Sequence, residues 1–164
     1  MKHIAACLWF EKDGEKAARF YCSVFKGKMR SIARYGKAGP GRPGSVMFVE
    51  FELMGRPFQA INGGPIYKIS PAISFSIPCK DQKEVDHYWS RLTKGGKEVQ
   101  CGWLEDKFGV SWQVVPEELL RLQRHKDAAV RERVMRAMMG MVKLDVAALK
   151  RAAAAGDAVL DRKK

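Results

Sequence analysis

Apolar residues recur with two different spacings along this chain, and each spacing predicts a different element. Ala17, Phe20, Tyr21 and Val24 are spaced i, i+3, i+4 and i+7, which places them on one face of a helix. Residues 46–53 alternate between apolar side chains and side chains that include two glutamates, a pattern typical of a half-buried strand. The first part of the chain therefore mixes one amphipathic helix with several short strands.

The same pattern occurs a second time further along the chain. Residues 12–28 align without a gap on residues 80–96 at an offset of 68, and residues 58–61 match residues 112–115 at an offset of 54. Repetition at so long a period indicates two copies of one supersecondary unit. We read each copy as β-α-β-β-β and expect the functional site where the copies meet.

The predicted elements follow from strand and helix signals. In the first copy they are the strands Ile4–Phe10, Met29–Tyr35, Val46–Leu53 and Pro57–Asn62, and a helix from Asp13 or Gly14 to Phe25. In the second copy they are the strands Ala72–Pro78, Lys97–Cys101, Trp103–Asp106 and Val110–Val115, and a helix that Asp81 caps with Glu84 in a capping box. A Gly/Pro-rich loop at residues 36–44 occurs only in the first copy. We interpret it as a hairpin or lid over a cleft rather than a phosphate cradle, because its prolines remove N–H donors.

From Pro116 onward the pattern becomes helical. We predict a short helix over Glu117–Arg124, a longer one capped by Asp127, and a last one that Asp145 caps and that runs through Leu149 and Ala153. The middle helix carries a methionine-rich stripe, Val130, Val134, Met138 and Met141, widened by Met135, Met139 and Val142. Such stripes indicate core packing or a dimer contact, with a promiscuous binding groove as the alternative. The organisation we predict is a two-module domain at 1–116, with modules at 1–66 and 67–116, and a helical extension at 117–164 packed on it.

Composition narrows the class of protein. At 164 residues and 46% hydrophobic the chain can bury a sizeable core, and no apolar run approaches the roughly 20 residues of a membrane helix. Four scattered cysteines with no leader segment predict reduced thiols and a cytoplasmic location. The net charge of +12 is spread over the whole chain, which favours a solvated basic surface over nucleic-acid binding.

Specific segments carry a resemblance to a known family. They are Cys7-Leu8-Trp9-Phe10, Ala17-Ala18-Arg19-Phe20-Tyr21, Gly44–Met47, Glu50–Leu53, Phe58–Pro65, Ala72–Phe75, Cys101–Leu104, Asp106–Pro116, Arg133–Met135 and Asp145–Leu149. Together they resemble the vicinal oxygen chelate superfamily (glyoxalase I, extradiol dioxygenases, bleomycin-resistance proteins), and within it the PhnB-like "3-demethylubiquinone-9 3-methyltransferase" domain proteins. The resemblance covers nearly the whole chain. It implies an α+β fold of paired βαβββ modules with a C-terminal helical extension.

The resemblance also implies where a metal would be held, since metalloenzymes of the superfamily use the first and last strands of each module. These positions fall at about Ala6, Ser74, Gln59 and Gln113. Alanine and serine are not suitable ligands, and a neutral amide holds a hard cation weakly, so we expect no metal. No G-x-G motif joins a strand to a helix, so we expect no S-adenosylmethionine site and no cofactor.

What remains is a cleft lined by uncharged side chains. Gln59 and Gln113 should project from the last strands into the concave sheet, while Asn62 lies on the opposite face unless Gly63-Gly64 re-aims it. The ligand-binding residues that we predict are Gln59, Asn62, Ser74, Cys101, Trp103 and Gln113. Structural filling of the sheet interior is the alternative for this set. Cys101 has no base nearby in sequence, which favours an inert thiol over a nucleophile.

The function we predict is metal-free binding of a small organic ligand, and the resemblance implies that the protein is a homodimer. The alternative is an enzyme: a lyase, isomerase or dioxygenase with an unusual metal site, or the methyltransferase of the family name. Nucleic-acid or regulatory binding through the basic surface ranks third, and no membrane partner is expected.

Overall fold

The computed structural model describes residues 4–155, which form two compact units at residues 4–70 and 71–155. The first unit contains β1 (Ala6–Phe10), α1 (Gly14–Phe25), β2 (Lys28–Arg34), β3 (Val46–Leu53) and β4 (Arg56–Asn62). The second unit contains β5 (Ser74–Cys79), α2 (Gln82–Leu92), β6 (Lys97–Glu98), β7 (Trp103–Glu105), β8 (Ser111–Pro116), α3 (Glu117–Gln123), α4 (Ala128–Met139) and α5 (Val146–Ala154). Both predicted β-α-β-β-β modules are present, which confirms the α+β fold.

The first unit is a four-stranded mixed sheet with one helix on it. Its strand order is β1-β4-β3-β2, with β1 parallel to β4 and the other pairs antiparallel. The apolar stripe of α1 packs on the sheet face that carries Val49, Phe51 and Ala60, all of which are buried. Ala17 and Tyr21 on the helix are likewise fully buried. The opposite face of this sheet carries no helix of its own unit.

The second unit repeats the topology with the order β5-β8-β7-β6, again with one parallel pair. Val85, Trp89 and Leu92 of α2 are buried on the sheet face that carries Trp112 and Val114. One half of the predicted capping box is confirmed, since the Asp81 carboxylate accepts from the Glu84 N–H at 2.9 Å, but the return bond goes to the residue before the cap. The Glu84 carboxylate in turn accepts from the Lys80 N–H at 2.9 Å.

The three C-terminal helices form a core of their own with the end of β8. The buried members are Val115, Leu119, Leu122, Val130, Val134, Leu144 and Leu149. Met138 and Met141 pack against this core, whereas Met135 and Met139 are largely exposed. The methionine stripe therefore supplies core packing on one edge only. Helix α4 ends at Met139, so Met141 lies in the link to α5.

The repeat departs from perfect register at two places. The predicted strand Lys97–Cys101 ends at Glu98, because residues 100–103 turn through positive φ values at Cys101 (60°) and Gly102 (82°). The helices of the two copies repeat at an offset of 68. Cys7 pairs with Gln59 and Ser76 pairs with Gln113, so the first strands repeat at an offset of 69. The link between β1 and α1 is one residue longer than the link between β5 and α2.

Candidate functional site

A row of polar side chains crosses the open face of the first sheet. The strand register sets Cys7 opposite Gln59, Gln59 opposite Glu50, and Glu50 opposite Ser31. Side chains alternate between the faces of a strand, and the buried Ala60 faces α1, so this row faces away from the helix. The row presents a thiol, an amide, a carboxylate and a hydroxyl across four adjacent strands.

Two members of this row remain available to a ligand. Ser31 donates its hydroxyl to Glu50 at 2.7 Å, but no ion pair involving Glu50 occurs within residues 4–155. Its neighbour Glu52 pairs with Arg30, whose hydrogen bond lowers the pKa of the Glu52 carboxyl. In the same part of the chain, the half-buried Gln59 amide has no hydrogen-bond partner. Gln59 thus offers an unused donor and an unused acceptor beside a negative charge.

An apolar row lies next to the polar one. It consists of Trp9, Ile61 and Phe48, which face the same side of the sheet as the polar row. Each lies two residues along its strand from a member of that row. The Trp9 indole N–H donates to the Gly64 carbonyl at 2.9 Å, and its ring meets Tyr67 edge-on at 4.9 Å between centroids. These contacts fix the indole, so the face combines a rigid aromatic wall with a polar strip.

The second unit presents the corresponding row in a different chemical form. Ser76 lies opposite Gln113, and Gln113 lies opposite Trp103. The Gln113 amide donates to the Ser74 hydroxyl at 2.8 Å, so one of its groups is already engaged. By the offset of 69, the first unit has Ala5 where the second has Ser74. Since alanine offers no hydroxyl, Gln59 lacks the partner that Gln113 has.

The strand register corrects one of the predicted metal positions. Ala6 pairs with Phe58 and faces the helix side, so Cys7, rather than Ala6, is the first-strand residue beside Gln59. Partial burial raises the pKa of the Cys7 thiol, which disfavours the thiolate that a metal would need. Across residues 4–155 no group of three His, Cys, Asp or Glu side chains could hold a metal ion. In the first unit a neutral thiol beside a neutral amide, and in the second a hydroxyl beside an amide, do not fit the divalent ion of the superfamily's metalloenzymes.

Two of the predicted site residues have structural contacts elsewhere. Asn62 lies on the helix face, where its amide accepts from the Gly14 N–H at 2.8 Å and donates to the Val46 carbonyl at 3.0 Å. The Cys101 thiol contacts the Met138 carbonyl and the Met139 sulfur, both at 3.7 Å. The structure therefore groups Ser74, Trp103 and Gln113 on one open face. It directs Cys101 to α4 and Asn62 to the start of α1.

Cys7 and Asp106 are the residues whose place sequence reasoning missed. The pairing of β1 with β4 sets Cys7 beside Gln59, and the sequence does not specify this pairing. Asp106 is 2% exposed and accepts hydrogen bonds from the Phe108 N–H at 2.8 Å, the Val110 N–H at 3.1 Å and the Trp112 indole at 2.8 Å. An acidic residue in a turn before a buried strand was the available signal. These bonds give Asp106 a structural role: it fixes the turn before β8 and the start of that strand.

The family of this chain follows from comparison with known proteins. A family model described as 3-demethylubiquinone-9 3-methyltransferase matches residues 2–115. The chain belongs to this family, a PhnB-like branch of the vicinal oxygen chelate superfamily. The match stops before α3, so the resemblance seen in the C-terminal helices stays a prediction. A search of curated proteins gave no match.

Solved structures agree with this assignment. A PhnB protein from Bacillus cereus, named for the same methyltransferase, is 33% identical with a TM-score of 0.64, over 70% of this chain and 99% of its own. Protein PA1353 from Pseudomonas aeruginosa shares the fold at 20% identity and a TM-score of 0.60, over 71% of this chain and 98% of its own. The fosfomycin resistance protein FosX from Mesorhizobium loti shares it at 14% and 0.50, over 68% and 87%. Among residues 4–155, every helix falls short of the length and apolarity that a membrane crossing requires.

Proposed function

We propose that this PhnB-like protein binds a small organic ligand on the open faces of its sheets, without a bound metal, and that Gln59 and Gln113 recognise it. The observation that carries the proposal is the Gln59 amide. It lies half-buried in the middle of the polar row, and no residue within 4–155 satisfies it. A ligand that pairs the amide replaces water there, and each such hydrogen bond contributes about 0.5–1.5 kcal/mol.

The surroundings of Gln59 restrict the ligand to a polar molecule with an apolar or planar part. The amide can both donate and accept, Glu50 accepts only, and the adjacent row of Trp9 and Phe48 provides aromatic surface. On the other unit, Gln113 keeps its carbonyl oxygen while its NH₂ group serves Ser74. The duplication predicts that each glutamine contributes to recognition on its own sheet, which the single variants test separately.

The test begins with a thermal-shift screen of a metabolite panel, because a ligand at 100-fold its Kd stabilises by about 2.7 kcal/mol. Calorimetric titration of the best ligand then compares Gln59→Ala and Gln113→Ala with the exposed control Gln100→Ala. We expect each site variant to bind about 10-fold more weakly, equivalent to one or two lost hydrogen bonds, and the control to bind as the wild type does.

Several outcomes would contradict the proposal. A melting temperature that no compound raises would reject ligand binding, and unchanged affinity in Gln59→Ala would reject the site. Stoichiometric zinc, nickel, manganese or iron in protein purified without chelator would reject metal-free binding.

A second candidate function is methyl transfer, which only the family description favours. A calorimetric titration with S-adenosylmethionine tests it directly. We expect no heat of binding at micromolar protein, and a micromolar Kd would replace our proposal with the methyltransferase function.

We further propose that the protein is a homodimer, as the sequence predicts. Three large apolar side chains near the unit boundary are strongly exposed: Ile66 (74%), Tyr67 (65%) and Ile73 (73%). Large exposed apolar side chains are candidates for an interaction surface. Light scattering on a sizing column should give twice the 18.5 kDa chain mass, with Ile66→Lys shifting the species toward monomer. A wild-type monomer at micromolar concentration would contradict the dimer.

A further inference from the structure

The Gly/Pro-rich loop of the first unit forms one wall of a cavity of about 530 Å³. Residues of the link into α1 and of its first turns form the opposite wall, and Tyr35, Val46 and Asn62 contribute to the lining. Asn62 faces the helix side of the sheet, so this cavity is separate from the face that carries Gln59. A volume of this size accommodates a small metabolite.

The cavity depends on features that only the first copy has. The loop closes as a hairpin, with the Gly44 N–H donating to the Tyr35 carbonyl at 2.8 Å and the Tyr35 N–H to the Ser45 carbonyl at 2.9 Å. Its Gly41 lies so close to the Tyr35 ring that an added Cβ would overlap it. The Tyr35 hydroxyl donates to the Asn62 carbonyl at 2.7 Å, which ties the hairpin to the end of β4. In the second copy the loop is missing and Pro116 replaces Asn62.

Three of the five charged side chains that line the cavity are in ion pairs. Arg19 binds Glu15 at 2.7 Å, and Lys16 binds Asp13 at 2.9 Å. Glu11 and Lys12 also line the cavity, and neither side chain has an ion-pair or hydrogen-bond partner within residues 4–155. One negative and one positive group are therefore left for a ligand, next to the apolar surface of Pro40 and Val46.

We propose that this cavity binds a zwitterion with an apolar side group, that is, an apolar α-amino acid or a close analogue. The ammonium group of the ligand pairs with Glu11, its carboxylate pairs with Lys12, and its side group packs against Pro40, Tyr35 and Val46. A plain acid meets the repulsion of Glu11, and a plain amine meets that of Lys12. Only a ligand that carries both charges satisfies both groups.

Matched probes test each part of this proposal. Titrations followed by ¹⁵N NMR compare L-phenylalanine with 3-phenylpropionate, which lacks the ammonium group, with phenethylamine, which lacks the carboxylate, and with glycine, which lacks the side group. We expect L-phenylalanine to bind with a Kd near or below about 1 mM and the three analogues at least about 5-fold more weakly. Its shifts should include the amides of Gly41, Val46 and Gly63.

Variants of the wall residues complete the test. Glu11→Gln and Lys12→Gln should each weaken L-phenylalanine binding about 3- to 10-fold, while Lys83→Gln, an exposed lysine on α2, leaves it unchanged. Gly41→Ala, which must displace the hairpin from Tyr35, should weaken it, whereas Gly36→Ala, which meets no neighbour, should not.

The proposal is overturned if L-phenylalanine causes no shifts, if either singly charged analogue binds as tightly, or if Glu11→Gln and Lys12→Gln both bind as the wild type does. Binding that survives these two variants but is lost in Gln59→Ala would assign the amino acid to the open sheet face and reject this cavity. If L-phenylalanine still binds while Gln59→Ala has no effect on any ligand, the cavity proposal stands and the proposal for the open sheet face is rejected.

Discussion

The two copies of the β-α-β-β-β unit share a strand order but attach the helix to the sheet in different ways. In the first copy the side chain of Asp13 makes no capping bond, and Asn62, 48 residues away, holds the Gly14 N–H instead. In the second copy Asp81 caps α2 locally through the Glu84 N–H. The first copy therefore secures its helix through a long-range contact and the second through a contact within one turn.

The sheet faces opposite α1 and α2 also differ in the polar groups that they carry. The first copy places Cys7 and Glu50 beside its glutamine, whereas the second places Ser76 and Trp103 there and engages Gln113 with Ser74. The second copy also adds a buried polar anchor at Asp106 and carries three further helices. In the described part of the chain the first copy leaves the Gln59 amide without a partner, whereas the second engages the Gln113 amide with Ser74 and buries the Asp106 carboxylate. We infer that ligand chemistry belongs chiefly to the first copy and stability to the second.

The strongest test of this division is Asp106→Ala. The substitution removes the buried carboxylate that accepts from the Phe108 N–H, the Val110 N–H and the Trp112 indole. We expect a loss of about 3–4 kcal/mol in the free energy of unfolding, measured by urea denaturation. Glu105→Ala, which removes only a surface pair with Lys97, should cost less than about 1 kcal/mol. Equal effects of the two variants would show that Asp106 is not the anchor of the second copy.

Asn62→Ala tests the corresponding contact of the first copy. The alanine abolishes the bonds to Gly14 and Val46 while leaving the local sequence of α1 intact. We expect a loss of about 1–2 kcal/mol, together with faster amide exchange in the first turn of α1. Asp81→Ala should produce a similar loss with faster exchange confined to α2. An Asn62→Ala variant with wild-type exchange in α1 would remove the contrast between long-range and local capping.

Periodicity was sufficient to predict the sheets, the helices and the duplicated unit, because the spacing of apolar residues determines which face each element buries. The cap at Asp81 was predictable because it is local: Asp81 and Glu84 are only three residues apart in the sequence. The role of Asn62 was not, since nothing near residue 62 in sequence shows that Gly14 lies beside it. Likewise the ligand position given to Ala6 was wrong by one residue. A one-residue difference in the link before the helix changes the face of every side chain in the strand.

Cys79 offers a pH test of the second copy alone, because its counterpart by strand pairing in the first copy is Phe10. Burial, with added repulsion from Glu84 and other carboxylates, raises the pKa of Cys79 to about 12. The unfolded thiol titrates near 8.5, so the stability from the neutral buried thiol is complete below that pH. It is lost as the pH rises toward 12.

Urea denaturation at several pH values measures how this contribution to the free energy of unfolding changes with pH. We expect the wild type to lose about 2 kcal/mol more than Cys79→Ala between pH 8 and pH 10. The alanine variant will be less stable near neutral pH because it leaves a cavity, so the comparison rests on the slope and not on the absolute value. Parallel slopes for the two proteins would mean that Cys79 does not carry the pH dependence.

The smallest expected effect concerns the two glutamines themselves. Ser74→Ala removes the acceptor that engages the Gln113 amide, and Ala5→Ser supplies the corresponding hydroxyl beside Gln59. Because these groups are partly exposed, each change should alter stability by less than about 0.5 kcal/mol. The side-chain NH₂ protons should respond more clearly in ¹⁵N NMR: Gln113 should exchange faster in Ser74→Ala, and Gln59 more slowly in Ala5→Ser. If both glutamines exchange at one rate in the wild type, the hydrogen bond to Ser74 does not distinguish the copies, and either face is equally open to a ligand.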